Sequence, residues 1–339
     1  MTDPGSGERV RLAHGAGGRA MRALIESVFL AGVSDPEARA MGDGAALPFG
    51  DRWLVLSTDA HVVTPAFFPG GDIGRLAICG VVNDLSMMGA CDVVALTSSV
   101  IVEEGFPIDA LRRVHASMQA ACAEAGTRVV TGDTKVLQRG EIDGIVLSTS
   151  GVGLTDRVVR DSGLKLGDAL VVTGTLGDHG LAVLGARHQL GLEGELRSDV
   201  APLNGLVRAA LTAAGDALHA MKDPTRGGVT SALTEMAEKA GVCIQLDEAA
   251  LPLSAAGRAA AELLGIDPLS VANEGKALLG VAPGALDALL AALRAHPLGR
   301  ESACIGRAVA GTPGHLLLDT GFGTRRLIER DDTPLPRIC

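Results

Sequence analysis

Short runs of apolar residues alternate along this chain with longer stretches in which apolar side chains recur every three or four positions. The first pattern predicts strands and the second amphipathic helices, so the chain reads as α/β, or α+β. Trp53–Thr58 and Val93–Val102 predict buried strands. Between them, Gly71–Ala90 predicts a helix with Ile73, Leu76, Ala77, Val81, Leu85 and Met88 along its apolar side. Ile108–Gly126 predicts a second helix, with Gly126 as its stop. Thr127–Thr131 and Gly144–Val152 add two strands. The polar, glycine-bearing stretch Asp156–Asp168 then separates two apolar strands, and a second unit opens with the strand Ala169–Gly174. That unit carries helices at Gly228–Gly241 and Ala285–Ala295 and strands at Val242–Leu246, Lys276–Val281 and His315–Asp319. The final stretch, DDTPLPRIC, has two prolines and no periodicity, and predicts an extended, mobile tail.

Length supports this division, since 339 residues at about 150 residues per domain give two domains. The formal net charge of −10, with one Trp, no Tyr and 6 Phe, leaves little to attract or stack nucleic acid. No apolar run approaches the roughly 20 residues a membrane span needs, and MTDPGSGERV has no signal-like apolar core. Cys79, Cys91, Cys122, Cys243, Cys304 and Cys339 are scattered without a CxxC pair. That pattern speaks against structural zinc and for a reducing, cytoplasmic setting.

Four aspartates sit next to glycine or at expected strand ends: Asp43 in MGDGAAL, Asp59 in LSTDAH, Asp84 in VVNDLS and Asp133 in VTGDTK. Asp59 and Asp133 are expected just beyond apolar strands, where open sheets present ligand-binding groups. Asp84 interrupts an apolar helix beside Asn83. Singly, an Asx-turn or a helix cap explains such residues better than a ligand does. Together with Lys135, a phosphate partner by type, they form a candidate metal–nucleotide set, although no Walker or dinucleotide fingerprint is present. Three glycine-rich loops, His14–Arg19, Phe68–Asp72 and Asp223–Gly228, are candidate anion cradles or plain turns. Cys339 is the last residue, able to enter a pocket and swing out, with Arg337 nearby to favour thiolate. A docked or accidental terminal cysteine is the competing explanation.

Read together, HGAGGR, GDGAAL, STDAHVVTPAFFPGGDIGRLAICGVVNDLSMMGA, TGDTKV, DPTRGGVT, VANEGKAL and the terminal PRIC resemble the carbamoyl dehydratases of hydrogenase maturation. These fall in the larger family of aminoimidazole ribonucleotide synthetases and selenophosphate synthetases. The resemblance implies a two-domain PurM-like fold whose N-terminal domains pair into a β-barrel at a dimer interface. It implies an N-terminal segment over 1–40, an ATP-binding domain over 41–156, a second domain over 165–325 and a flexible tail over 326–339. ATP and Mg²⁺ would lie between the domains. Asp43, Asp59, Asp84 and Asp133 would hold metal and nucleotide, with Asn83 and Arg226 at the phosphates and His14 organising a loop. Lys135 and Glu274 would handle a carboxamide carried on Cys339, with Glu274 as the proton acceptor. The implied partners are a HypF-like carbamoyltransferase as donor and a HypC–HypD complex as cyanide acceptor. In GDGAAL, Gly44 stands where many relatives carry a second acid, so a metal role in that loop rests on Asp43. Two other readings remain open: a related synthetase or kinase acting on a diffusible small molecule, and a non-catalytic scaffold docking by its tail.

Overall fold

The computed structural model describes residues 9–192, 196–327 and 338–339. Two short helices, α1 (Gly18–Leu24) and α2 (Pro36–Ala40), precede a first α/β unit. That unit contains strands β1 (Ala45–Phe49) and β2 (Arg52–His61), a small ribbon of β3 (Phe67–Phe68) and β4 (Gly71–Asp72), then α3 (Ile73–Met87), β5 (Asp92–Glu103), α4 (Ile108–Ala125), β6 (Val129–Leu137) and β7 (Ile145–Thr155). The five long strands form one sheet in the order β1-β2-β7-β5-β6. Only β5 and β6 run parallel, joined by the α4 crossover.

A second unit begins with β8 (Ala169–Val172), α5 (Asp178–Arg187), α6 (Asn204–Ala214), β9 (Leu218–Lys222), α7 (Gly228–Ala240) and β10 (Cys243–Asp247). It continues with α8 (Ala255–Leu264), β11 (Leu278–Val281), α9 (Leu286–Ala295), β12 (Ala303–Val309), β13 (Leu316–Asp319) and β14 (Thr324–Leu327). Its seven strands are ordered β14-β13-β10-β12-β8-β11-β9. Helices cover both faces: α7 packs its Val229, Leu233 and Met236 on one side, while α6 and α9 pack Leu206, Leu289 and Leu293 on the other.

Helix α3 is the buried axis of the first unit. Asp72 caps it, accepting from the Gly74 and Arg75 N–H groups at 2.8 and 3.1 Å, which satisfies donors the helix itself leaves free. Nearly every side chain beyond is buried, so polar Asn83 and Asp84 must be held by specific partners. Helix α4 ends at Gly126 with φ of 70°, the left-handed stop its sequence predicts.

Strands β2 and β6 run past their apolar stretches, so Asp59 and Asp133 lie inside strands rather than beyond them. The ladder does not end where hydrophobicity does, because backbone pairing continues: Asp59 opposes Thr149 and Asp133 opposes Ser99. Register then separates them. Asp133 lines up through Ser99 with Ser148, and Lys135 through Ile101 with Val146, whereas Asp59 lines up with Thr149. Adjacent residues point to opposite faces, so Asp133 and Lys135 share one face of the sheet and Asp59 takes the other. The tail expected over 326–339 falls mostly outside the described residues, and its last two residues lie in the cleft between the units.

Candidate active site

A cavity of about 410 Å³ is lined by Asp43, Asp59 and Asp84 from the first unit and by Lys222, Asp223 and Arg226 from the second. Gly17, from the loop before α1, also lines it. It has φ of 82°, and a Cβ there would meet the Arg226 carbonyl oxygen at 2.8 Å. Glycine is therefore required for the N-terminal segment to close over the Arg226 loop. Gly228, at the start of α7, is held similarly: its φ is 63° and a Cβ would strike the Leu269 and Val271 carbonyls.

The cavity wall is an unusual concentration of buried acid. Asp43 accepts from the Lys222 ammonium at 2.5 Å. Burial would drive that ammonium's pKa down, but Asp43, Glu235 and Asp161 together hold it well above the ordinary lysine value. Burial pushes the Asp43 carboxyl up, only partly offset by Lys222. Asp84 accepts from the Ser57 hydroxyl at 2.6 Å, yet burial and repulsion from Asp223, Asp59 and Asp43 hold its pKa well above the usual carboxylate range. Asp223 is pushed up to about 8 by burial and by Asp43, and its Oδ2 is buried with no hydrogen-bond partner among the described residues. Among these residues no group of three His, Cys, Asp or Glu side chains stands close enough to hold a metal ion by itself. Several acids around a cavity, destabilised by one another, with one orphaned oxygen, still fit a hard cation that takes one or two carboxylates and completes its shell with phosphate and water.

An Asp whose folded pKa lies near 8 binds its proton more tightly folded than unfolded. Its contribution to stability is full below the unfolded value and is lost as pH rises toward 8. Asp223→Asn is therefore expected to raise the melting temperature of the ligand-free chain more at pH 8 than at pH 5, as read by thermal scans at the two values.

Deeper in the cleft lies the end of the chain. The Cys339 thiol sits beside the Glu274 carboxyl, with Arg226 and Asp59 close by. Burial, then the Glu274 charge, push its pKa up despite Arg226. Glu274 is itself raised well above the ordinary value, by burial and by Asp223, Asp59 and Asp199. Its Oε1 is buried without a hydrogen-bond partner among the described residues. The backbone around it is pinned: Glu274 N–H donates to Asp199 at 3.0 Å, and its carbonyl accepts from Asn83 at 3.1 Å. Asp199 also accepts from Lys276 at 2.9 Å.

The structure therefore brings together Asp43, Asp59, Asp84, Arg226, Glu274 and Cys339. Asn83, expected at the phosphates, is buried and spends its amide on backbone. It donates to the Ala201 and Glu274 carbonyls and accepts from the Leu203 N–H. Asp133 and Lys135 are exposed on β6 and do not line the cavity. Asp133 accepts from the Thr134 N–H beside it. His14 accepts from the Arg11 N–H at 3.2 Å in a short turn, outside the cavity lining. Sequence reasoning overlooked Lys222 and Ser57, and saw Asp223 only as part of a glycine-rich loop. Each is an ordinary residue in its strand or turn: Lys222 and Asp223 gain their roles from Asp43 of the opposite unit, and Ser57 from Asp84 on the neighbouring helix of its own unit.

Two α/β units, with an acid-walled cleft between them, define a member of the AIR synthase related proteins. The family's N-terminal domain matches residues 41–155 and its C-terminal domain residues 165–318. Within that family the chain belongs with the carbamoyl dehydratases HypE. It is 45% identical over 334 residues to HypE of Rhizobium leguminosarum bv. viciae, covering 98% of this chain and 95% of that protein. Among solved structures it is similar to HypE in a HypE–HypF complex, with a TM-score of 0.85 and 41% identity, covering 91% of this chain and 100% of the other. It is similar also to HypE in complex with ATP, with a TM-score of 0.82 and 39% identity, covering 97% and 99%.

Proposed function

We propose that this chain dehydrates a carbamoyl group carried on the Cys339 sulfur, with ATP, to a thiocyanate that supplies cyanide for hydrogenase maturation. The observation that carries this reading is the Cys339 thiol lying beside the Glu274 carboxyl, whose Oε1 has no hydrogen-bond partner among the described residues, in an acid-walled cleft. ATP would supply the phosphoryl group that makes the amide oxygen a leaving group, and Asp43, Asp59 and Asp84 with Asp223 would hold Mg²⁺, whose charge would offset the phosphates. Glu274 accepts one N–H proton from the carboxamide, and the second leaves with the phosphate as the C–O bond breaks. Burial and the neighbouring acids raise the Glu274 pKa, which makes its carboxylate a stronger base than an exposed one. Arg226 offers a cation beside the sulfur, and Asn83 and Asp199 fix the Glu274 backbone.

Docked, the thiol is held neutral, and a neutral thiol is a poor nucleophile. Loading must then occur with the tail outside the cleft, by a HypF-like carbamoyltransferase, as must delivery to a HypC–HypD acceptor. The tail is mobile in this reading. We propose further that two copies pair through the face of the first sheet that bears Asp133 and Lys135. Exposed Leu47, Phe49 and Leu56 share that face by register, and closure of two such sheets gives a barrel with Lys135 at its seam. The domain limits proposed are 41–156 and 165–325.

The test is mass spectrometry of the C-terminal peptide after incubation with carbamoyl donor and ATP. Wild type should show the carbamoyl adduct and then loss of one water. Cys339→Ala should show neither, and thiocyanate formed elsewhere on that variant would overturn the reading.

A further inference from the structure

The last two residues show how the tail is seated. Ile338 is 3% exposed and packs against Leu184 and Ala272, with Leu264 and Ile266 beside them. Its carbonyl lies 2.7 Å from His179 Nε2. A carbonyl can only accept, so Nε2 carries the hydrogen and Nδ1 is left as an acceptor. The Ser198 hydroxyl donates to it at 2.8 Å. Ser198 is fixed in turn: its Oγ accepts from the Val200 N–H at 3.1 Å, and its own N–H donates to the Pro69 carbonyl at 2.8 Å. The Phe68 ring meets the imidazole edge-on, with centroids 5.4 Å apart. His179 is fully buried, and burial lowers its pKa, which keeps the ring neutral. Neither His179 nor Ser198 belongs to the chemistry assigned to Glu274.

We propose that Ile338, rather than the cysteine it precedes, anchors the tail. Its side chain enters an apolar pocket, its carbonyl is gripped by the His179–Ser198 pair, and the two contacts set the depth at which Cys339 meets Glu274. The cleft thus reads an apolar residue by shape and backbone and sets the thiol of the next residue beside Glu274. His179 is a positioning residue. The next residue after Ser198, Asp199, pins the Glu274 N–H, so one short segment holds both the tail and the group that acts on it. The catalytic half of this inference rests on the reading of Cys339 as the modified group, but the seat itself does not.

Alkylation tests the seat without donor or nucleotide. Full-length protein is treated with iodoacetamide, and Cys339 modification is followed by mass spectrometry of the peptide released by cleavage at aspartate. Ile338→Asp should raise the rate about tenfold or more, because a charge is excluded from the apolar pocket. His179→Leu should raise it about fivefold to tenfold, the worth of one net hydrogen bond. His179→Gln, which restores a donor near the Nε2 position, should recover much of the protection, and Ser198→Ala should fall between. In carbamoylated enzyme the same variants should lose turnover in the same order, with the KM for ATP unchanged. Wild-type alkylation rates in both Ile338→Asp and His179→Leu would overturn the anchor even if dehydration proceeds. Altered alkylation in a chain that never dehydrates would retain the anchor and overturn the catalytic reading instead.

Discussion

Glu274→Gln is expected to accept a carbamoyl group on Cys339 at the wild-type rate and to dehydrate it about 10²–10⁴-fold more slowly, the usual worth of a positioned base. Glutamine keeps the size of the side chain and removes its capacity to take the N–H proton. The backbone contacts that hold residue 274, from Asp199 and Asn83, are unaffected. Single-turnover measurement on pre-carbamoylated protein with saturating ATP isolates the step. Dehydration at the normal rate would remove Glu274 as the base. The variant should also lose part of the pH dependence of turnover, because the group whose pKa burial raises is gone.

The second large effect concerns stability. Lys222 is the cation at the centre of Asp43, Asp161 and Glu235, at 2.5, 3.8 and 3.4 Å. Lys222→Met fills similar volume but leaves the buried Asp43 carboxylate without its closest counter-charge, while Asp161 keeps Lys239 at 2.6 Å, a change that costs about 3–5 kcal/mol. Burial already raises the Asp43 pKa, and removing the cation that offsets it raises that pKa further. A carboxyl with a raised folded pKa contributes stability below its unfolded value and loses it as pH rises. The deficit relative to wild type should therefore be largest near neutrality and shrink toward pH 4. Urea unfolding at several pH values measures both the size and the trend, and a deficit independent of pH would show that Lys222 acts by packing alone.

Much of the scaffold was legible because its signals are local. The apolar stripe of α3, the Gly126 stop of α4 and the strand before Asp156 are written within single windows of sequence. Helices α5, α6 and α8 were not read. They are rich in alanine and glycine, and their burial depends on neighbours distant in sequence. The acids at Asp43, Asp59 and Asp84 were legible as a set because each breaks an apolar or glycine-rich context. Lys222 and Ser57 were not, since their partners lie 179 and 27 residues away along the chain. Asp133 and Lys135 show another limit. Motif proximity grouped them with Asp59, but strand alternation sends them to the opposite side of the sheet.

That alternation makes the chemistry of β6 a matter of parity. Asp133 and Lys135 share a face only because one residue separates them, while Thr134 and Val136 take the other. Gaining or losing a single residue between the strand's start and Asp133 would turn the acid and the lysine toward the helix side and move Val136 to the face they leave. A change of two residues would restore them. Insertions tolerated in this stretch across natural variants should accordingly come in even numbers, or be absorbed in the turn after Gly126.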